Sequence, residues 1–178
     1  MGRSLAVQEG DFKARHLSVV IYWKKRTGID SLQNGHAALI IDSSEFRVER
    51  DDYYVSWLSQ GGGKTGLVGR ATQASFLDDC AQWGGNEVGQ YGYHVPSRWV
   101  MIDGLNTGDM KAAWDQMRTK ERAHWKLFDK NCATAVARIL KAGGGDGFAR
   151  AHKHQMVWWP TDLLKYARSM GQHVYKTS

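Results

Sequence analysis

The strongest constraint in this 178-residue sequence is a run of small and apolar residues that begins at Cys132. The apolar members recur at the spacing of one helical face: Ala133, Val136, Ala137 and Leu140. These side chains are small enough for close packing, and the glycines at 143–145 favour an end to the helix. The sequence therefore predicts a buried helix on a sheet, with a cysteine in its first turn.

Strands are predicted upstream of this helix. Residues 16–23 and 35–41 are rich in β-branched, aromatic and aliphatic side chains, and the second run begins at Gly35-His36. Residues 45–50 alternate polar and apolar side chains, as a half-exposed strand does. The three segments predict an antiparallel meander, followed by a further extended piece at 53–58.

The rest of the chain mixes helices and strands. Helices are predicted at 76–83, at 106–118 and after an N-cap at Thr161, and strands at 97–103 and 124–128. The length suits one domain with its own core. We therefore expect an α+β fold, with a polar N-terminal segment at 1–15 and a single domain at 16–178.

The net charge of +6 and the pI of about 9.4 favour attraction to anionic surfaces such as phospholipid headgroups or cell-wall polymers. The basic residues are dispersed, which argues against a nucleic-acid footprint. The N-terminus lacks the apolar core of a secretory signal, and no run approaches membrane-spanning length. We expect a soluble chain that a dedicated machine exports.

Cys132 is the candidate nucleophile. A cysteine reacts as its thiolate, which a helix N-terminus favours, and an imidazole such as that of His36 can activate it. The backbone N–H of Cys132 would donate to the oxyanion. A third group should orient the imidazole, and the candidates are Glu45, Glu49 and Ser56. Cys80 lacks these features and is interpreted as structural.

Residues flanking these motifs are candidates for substrate contact: Asn131, Tyr54, Trp57, Trp158 and Trp159. Aromatic side chains mainly supply buried area, so Trp158 and Trp159 either pack on the core or line an apolar groove. The alternative to catalysis also stays open, because a free cysteine is often just a small buried hydrophobe. In that case the chain is a non-catalytic binding module.

No pattern predicts a cofactor or a metal. The glycine-rich stretch at 60–66 lacks the glycine spacing of a phosphate-binding loop and reads as a loop at the rim of a site. His152 and His154 alternate around a lysine, but no carboxylate or thiolate ligand stands beside them. We interpret them as part of a solvated loop.

Four motifs together carry a family resemblance. A Gly-His-apolar strand at His36, a Tyr-Val-Ser-Trp segment, Asn-Cys at the start of a small-residue helix and a late Trp-Pro-Thr-Asp helix resemble the permuted NlpC-type papain-like superfamily. In the permuted branch the histidine precedes the cysteine, as His36 precedes Cys132, and this order is shared with the lecithin:retinol acyltransferase family. Those acyltransferases have a second histidine on the following strand, whereas this chain has none between His36 and His94.

The resemblance implies a catalytic helix packed on an antiparallel sheet and acyl chemistry through a Cys132 thioester, with His36 as its partner. Permuted members act on lipids, and unpermuted relatives cut peptide bonds in peptidoglycan. Small bacterial proteins of this build resemble toxins delivered by contact-dependent systems such as type VI secretion. We therefore expect a phospholipase acting at an anionic phospholipid membrane, with a peptidoglycan or protein amidase as the alternative and an immunity protein as a possible partner.

Overall fold

The computed structural model of this protein describes residues 17–23, 35–43, 53–60, 68–83, 96–119, 124–126, 128–170 and 173–176. The elements in chain order are β1 (Leu17–Trp23), β2 (His36–Ser43), β3 (Tyr54–Val55), β4 (Trp57–Gln60), β5 (Val68–Gln73), α1 (Phe76–Trp83), β6 (Arg98–Ile102), α2 (Thr107–Arg118), β7 (His124–Lys126), α3 (Cys132–Ala142), α4 (Gly145–Phe148), α5 (Pro160–Met170) and β8 (His173–Lys176).

The strands form two antiparallel sheets. The larger sheet has the order β3-β2-β1-β6-β8, and the smaller has the order β4-β5-β7. The fold is thus α+β with antiparallel sheets, as predicted, and β1 pairs with β2. The third strand of the predicted meander, at 45–50, lies outside the described residues. The piece at 53–58 is not one strand, because the chain passes from one sheet to the other at Ser56.

The larger sheet is buried on both faces, which explains why β1 is apolar at every position except Ser18. Val20 and Tyr22 of β1 pack in the same cluster as α3 residues, whereas Ile21 and Trp23 pack in the cluster that contains Phe76 of α1. This alternation follows the two-residue period of a strand. Helix α3 therefore covers one face of the sheet and α1 the other.

Helices α2 and α5 complete the layer around α3. The apolar face of α2 packs on this layer, since Met110 and Trp114 are fully buried against the α3 side of the sheet. Leu164 and Ala167 of α5 also face inward. None of the helices in the described ranges is long and apolar enough to cross a membrane.

Two local predictions are wrong and a third is confirmed. Thr161 is not an N-cap, because α5 begins one residue earlier at Pro160, whose fixed φ and missing N–H suit the first helical position. The strand predicted at 124–128 ends at Lys126, where the Lys130 N–H donates to the Lys126 carbonyl and closes a turn. Glycines 143–145 end α3 as predicted, but Gly145 also opens the short helix α4.

Close packing at the C-terminal end of α3 predicts an asymmetry between two glycines of α4. A Cβ on Gly145 would lie 2.7 Å from the Leu140 carbonyl oxygen, whereas a Cβ on Gly147 would meet nothing within 4 Å. Gly145→Ala should therefore cost about 1–3 kcal/mol of unfolding free energy, as overpacking does. Gly147→Ala, the matched control, should leave stability unchanged or slightly raised. Thermal and urea unfolding measure both, and equal stability of the two variants would contradict the packing described here.

Candidate active site

Cys132 is the first residue of α3, and Asn131 fixes the start of this helix. The Asn131 side chain accepts a hydrogen bond from the Thr134 N–H at 2.8 Å, which makes it the N-cap. Its Nδ2 donates to the Trp158 carbonyl at 2.7 Å, which ties α3 to the segment before α5. Cys132 is buried, and its N–H is one of the four that a helix cannot satisfy internally.

His36 opens β2 opposite Trp23, the last residue of β1. Its Nε2 lies 3.0 Å from Asp79 Oδ2 and 3.1 Å from Ser56 Oγ. Cys132 lines the same pocket as His36, and its side chain is among the groups that raise the pKa of the ring. Because Asp79 and Ser56 occupy Nε2, Nδ1 is the nitrogen left to interact with the thiol.

Asp79 is the carboxylate that the sequence interpretation missed. It lies on α1, is fully buried, and its Oδ2 also accepts a hydrogen bond from the Tyr54 hydroxyl at 2.6 Å. Oδ1 is buried without a hydrogen-bond partner among the described residues. A buried carboxylate needs a cation or several donors, so Asp79 depends on a charged His36.

A sequence signal for Asp79 was present. Apolar residues of α1 recur with the spacing of one helical face, at Phe76, Cys80 and Trp83. Asp79 falls on this same face, next to Cys80, whereas Asp78 is exposed and accepts hydrogen bonds from Ser75 at the start of the helix. A carboxylate on the apolar face of an amphipathic helix requires a buried partner, and that requirement points to a buried histidine.

Two indole rings enclose the imidazole. The ring of Trp23 stacks on His36 at 5.5 Å between centroids, and that of Trp83 stacks at 5.3 Å with an interplanar angle of 16°. Trp83 and Asp79 are one turn apart on α1. This helix therefore supplies the indole that stacks on the face of the His36 ring and the carboxylate that contacts its Nε2 edge. Aromatic faces attract cations, so the stacking favours an imidazolium and fixes its plane.

The electrostatics of the site favour protonated His36. Burial of the ring opposes protonation, but the Asp79 carboxylate and the Cys132 side chain outweigh it through charge and hydrogen bonding and raise the pKa of His36 to about 10. The histidine is therefore an imidazolium at neutral pH. Such a cation beside a thiol is the environment in which cysteines become reactive.

A pocket of about 120 Å³ opens next to Cys132 and His36. Its walls are mainly apolar and aromatic: Trp57, Leu58, Trp83, Trp125, Trp159 and Pro160. Trp57, Trp159 and Asn131, which were predicted as substrate contacts, line this pocket. The other two lie elsewhere, because Trp158 packs against Tyr166 in the core and Tyr54 supports Asp79 from behind the site.

Of the three predicted orienting residues, the structure places Ser56 beside His36, and Glu45 and Glu49 lie outside the described residues. Cys80 is buried in the α1-side cluster, where burial and then the neighbouring Asp79 raise the pKa of its thiol to about 12. The stretch at 60–66, predicted to rim the site, is described only at Gln60. His152 and His154 are exposed, and no group of metal-binding side chains occurs in the described part of the chain.

Comparison with known proteins relates the chain to bacterial toxins. Residues 90–177, which include Cys132 but neither His36 nor Asp79, match the family model described as the IcsB middle domain. Over 76 residues, 41% of this chain, the sequence is 34% identical to the multifunctional-autoprocessing repeats-in-toxin proteins of Vibrio vulnificus and Vibrio cholerae serotype O1. The matched region spans 1% and 2% of those two toxins, so this chain corresponds to a small part of each.

The Asp79–His36 contact predicts the titration of the histidine. In the native protein the His36 imidazole should titrate near pH 10, well above the ordinary value of about 6.5. Asp79→Asn removes the carboxylate and should move the midpoint down by more than one pH unit, whereas Asp78→Asn, the matched control one residue away, should leave it unchanged. Titration of ¹³C-labelled histidine by NMR measures all three midpoints. Equal midpoints in Asp79→Asn and wild type would contradict the ion pair.

The same shift sets a pH dependence of stability. The folded protein binds the His36 proton more tightly than the unfolded chain does. The contribution of protonated His36 to the free energy of unfolding is therefore complete below about pH 6.5 and is lost as the pH rises through about 10. The difference in unfolding free energy between wild type and Asp79→Asn should therefore narrow across this interval. Urea unfolding at several pH values measures it, and a difference independent of pH would count against the account.

Proposed function

We propose that this protein is a cysteine-dependent acyl hydrolase in which Cys132 is the nucleophile, His36 the acid and base, and Asp79 the orienting carboxylate. The observation that carries the proposal is the buried contact of His36 Nε2 with Asp79 Oδ2 at 3.0 Å, made in the same pocket that the thiol at the start of α3 lines. Nucleophile, base and orienting group stand in the order that thiol catalysis requires.

The reaction would proceed in two balanced steps. The Cys132 sulfur attacks the acyl carbonyl, the C–S bond forms, and the C–O bond breaks while His36 gives its proton to the leaving oxygen. Water then attacks the thioester, His36 takes the proton from that water, and the fatty acid leaves as the thiolate is restored. The unsatisfied N–H at the start of α3 is suited to stabilise the oxyanion of both tetrahedral intermediates.

Asp79 and the two indoles would hold His36 ready for both roles. The carboxylate fixes the Nε2 edge, Trp23 and Trp83 fix the plane, and Nδ1 stays directed at sulfur. Ser56 Oγ adds a second hydrogen bond at Nε2. The ring therefore needs no reorientation between the two proton transfers, which is the advantage of a preorganised site.

The fold supports assignment to the permuted NlpC-type papain-like superfamily. A cysteine opens a buried helix, the helix packs on an antiparallel sheet, and the histidine comes from a strand that precedes the cysteine in the chain. In this arrangement the chain order of the two residues is inverted relative to unpermuted relatives, while the contact between them is kept.

The aromatic pocket favours an acyl ester of a phospholipid as substrate. Its walls offer apolar surface to a hydrocarbon chain, and apolar contact contributes roughly 25 cal/mol per Å² of area removed from water. The similarity to proteins named as toxins supports a role as an effector domain delivered to a target cell, where an immunity protein would be expected in the producing cell.

Replacement of Cys132 tests the proposal. Purified protein incubated with phospholipid vesicles should release fatty acid and lysophospholipid, detected by mass spectrometry, and Cys132→Ala should lower the rate by roughly a thousandfold or more. Cys80→Ala is the matched control and should keep the wild-type rate, since that thiol is buried away from the pocket.

Two results would overturn the proposal. Full activity or toxicity of Cys132→Ala would show that the protein acts as a binding module. Release of new free amines from purified peptidoglycan, with no fatty acid from vesicles, would assign the same site to amide hydrolysis.

A further inference from the structure

A tight turn beside the active site exposes an aromatic side chain. The turn runs from Lys126 to Lys130, and two backbone hydrogen bonds close it: Lys130 N–H to Lys126 O at 2.9 Å and Lys126 N–H to Lys130 O at 3.3 Å. Phe128 lies within this turn and is 51% exposed. The turn leads directly to Asn131 and Cys132, so Phe128 is four residues from the proposed nucleophile in the chain.

Phe128 belongs to an apolar rim at the pocket. Its ring packs edge-on against Trp159 at 5.9 Å between centroids, and Trp159 lines the pocket. Met156, three residues before Trp159, is fully exposed. We call Phe128, Met156 and Trp159 the interfacial rim. Single exposed apolar side chains are common on protein surfaces, but here they lie in the two segments that border one apolar pocket.

The turn that carries Phe128 is basic. It contains two cationic side chains, Lys126 and Lys130, and one carboxylate, Asp129. Lys126 and Lys130 flank Phe128 at the two ends of the turn. Apolar side chains between lysines match the two layers of an anionic bilayer surface, with hydrocarbon beneath phosphate.

We propose that the interfacial rim docks the protein on an anionic phospholipid bilayer, with Phe128 and Met156 entering the headgroup and acyl boundary and the flanking lysines contacting phosphates. This proposal rests on the proposed function in one respect, since it names the surface from which the active site takes its acyl ester. Docking on this face puts the pocket mouth against the lipid. A lipid chain then reaches Cys132 by passing Trp159 without crossing bulk water.

The chain provides a matched control for Phe128. Phe148 is also 51% exposed, but it lies on α4, beyond the far end of α3. Helix α3 has 11 residues, and at 1.5 Å of rise per residue its two ends are separated by about 16 Å. The two phenylalanines therefore have the same chemistry and exposure and differ in their position relative to the pocket.

Vesicle sedimentation with the Cys132→Ala protein measures docking without turnover. Binding should be strong on phosphatidylcholine vesicles that contain roughly a third phosphatidylserine and weak on pure phosphatidylcholine. Phe128→Ala should lower the partition coefficient by about fivefold to tenfold, as loss of one buried aromatic contact does. Phe148→Ala should leave it unchanged. Replacing both Lys126 and Lys130 by Gln should lower it by about tenfold or more and weaken its salt dependence.

A second readout covers the case in which a truncated side chain perturbs the turn. Phe128→Trp and Phe148→Trp each add one tryptophan to the same background, and brominated acyl chains should quench the emission of the first variant more than that of the second. Equal quenching, or equal binding of Phe128→Ala and Phe148→Ala, would overturn the docking proposal. Vesicle binding that depends on neither phenylalanine nor lysine, or capture of a protein partner by this rim in place of lipid, would also overturn it.

These outcomes separate the two proposals. Because binding is measured with Cys132→Ala, a protein that docks through Phe128 but releases no fatty acid in the wild-type form would keep the docking surface and lose the hydrolase. If the wild-type protein cleaves dispersed lipid while Phe128→Ala binds vesicles normally, the hydrolase proposal stands and the docking surface is lost.

Discussion

The buried contact between Asp79 and His36 ties helix α1 to the end of strand β2, near the start of α3 on the opposite face of the sheet. Asp79 comes from α1 on one face, Cys132 from α3 on the other, and His36 from the end of the strand between them. A carboxylate that is fully buried, with one oxygen unpartnered among the described residues, is costly unless it faces a cation. The charge on His36 therefore stabilises the docking of α1 on the sheet.

The position of His36 follows from strand geometry. Alternation along β2 directs Ala37 and Leu39 to the α3 side and Ala38 and Ile40 to the α1 side, so His36 faces Asp79 and Trp83. As the first residue of the strand it also lies at the end of the sheet, where the N-terminus of α3 begins. Next to it, the chain changes sheets at Ser56, which brings a hydroxyl to Nε2 and Trp57 to the pocket. The end of the larger sheet at His36 thus collects groups from β1, β2, β4, α1 and α3.

Local sequence patterns predicted the elements that are periodic and strongly apolar. Helix α3, its cysteine and the β1–β2 pair follow from residues close together in the chain. Asp79 did not follow, because the predicted candidates Glu45, Glu49 and Ser56 all lie on extended segments, whereas the carboxylate beside His36 comes from helix α1. The break at Ser56 was also missed, since 53–58 is extended throughout and only long-range pairing divides it between two sheets. Strand β5 carries few β-branched residues, and β8 is an edge strand whose partner, β6, is distant in sequence.

In the proposed mechanism, His36 and Asp79 make Cys132 an acyl acceptor. Intact-protein mass spectrometry after acid quench of a reaction with a phospholipid or a short acyl ester detects the acylated enzyme. We expect a mass increase of one acyl group, located on the peptide that contains Cys132, removed by hydroxylamine and absent from His36→Gln. An acyl group on Cys80, or fatty-acid release by wild-type protein with no acylated Cys132 at any time of quench, would contradict it.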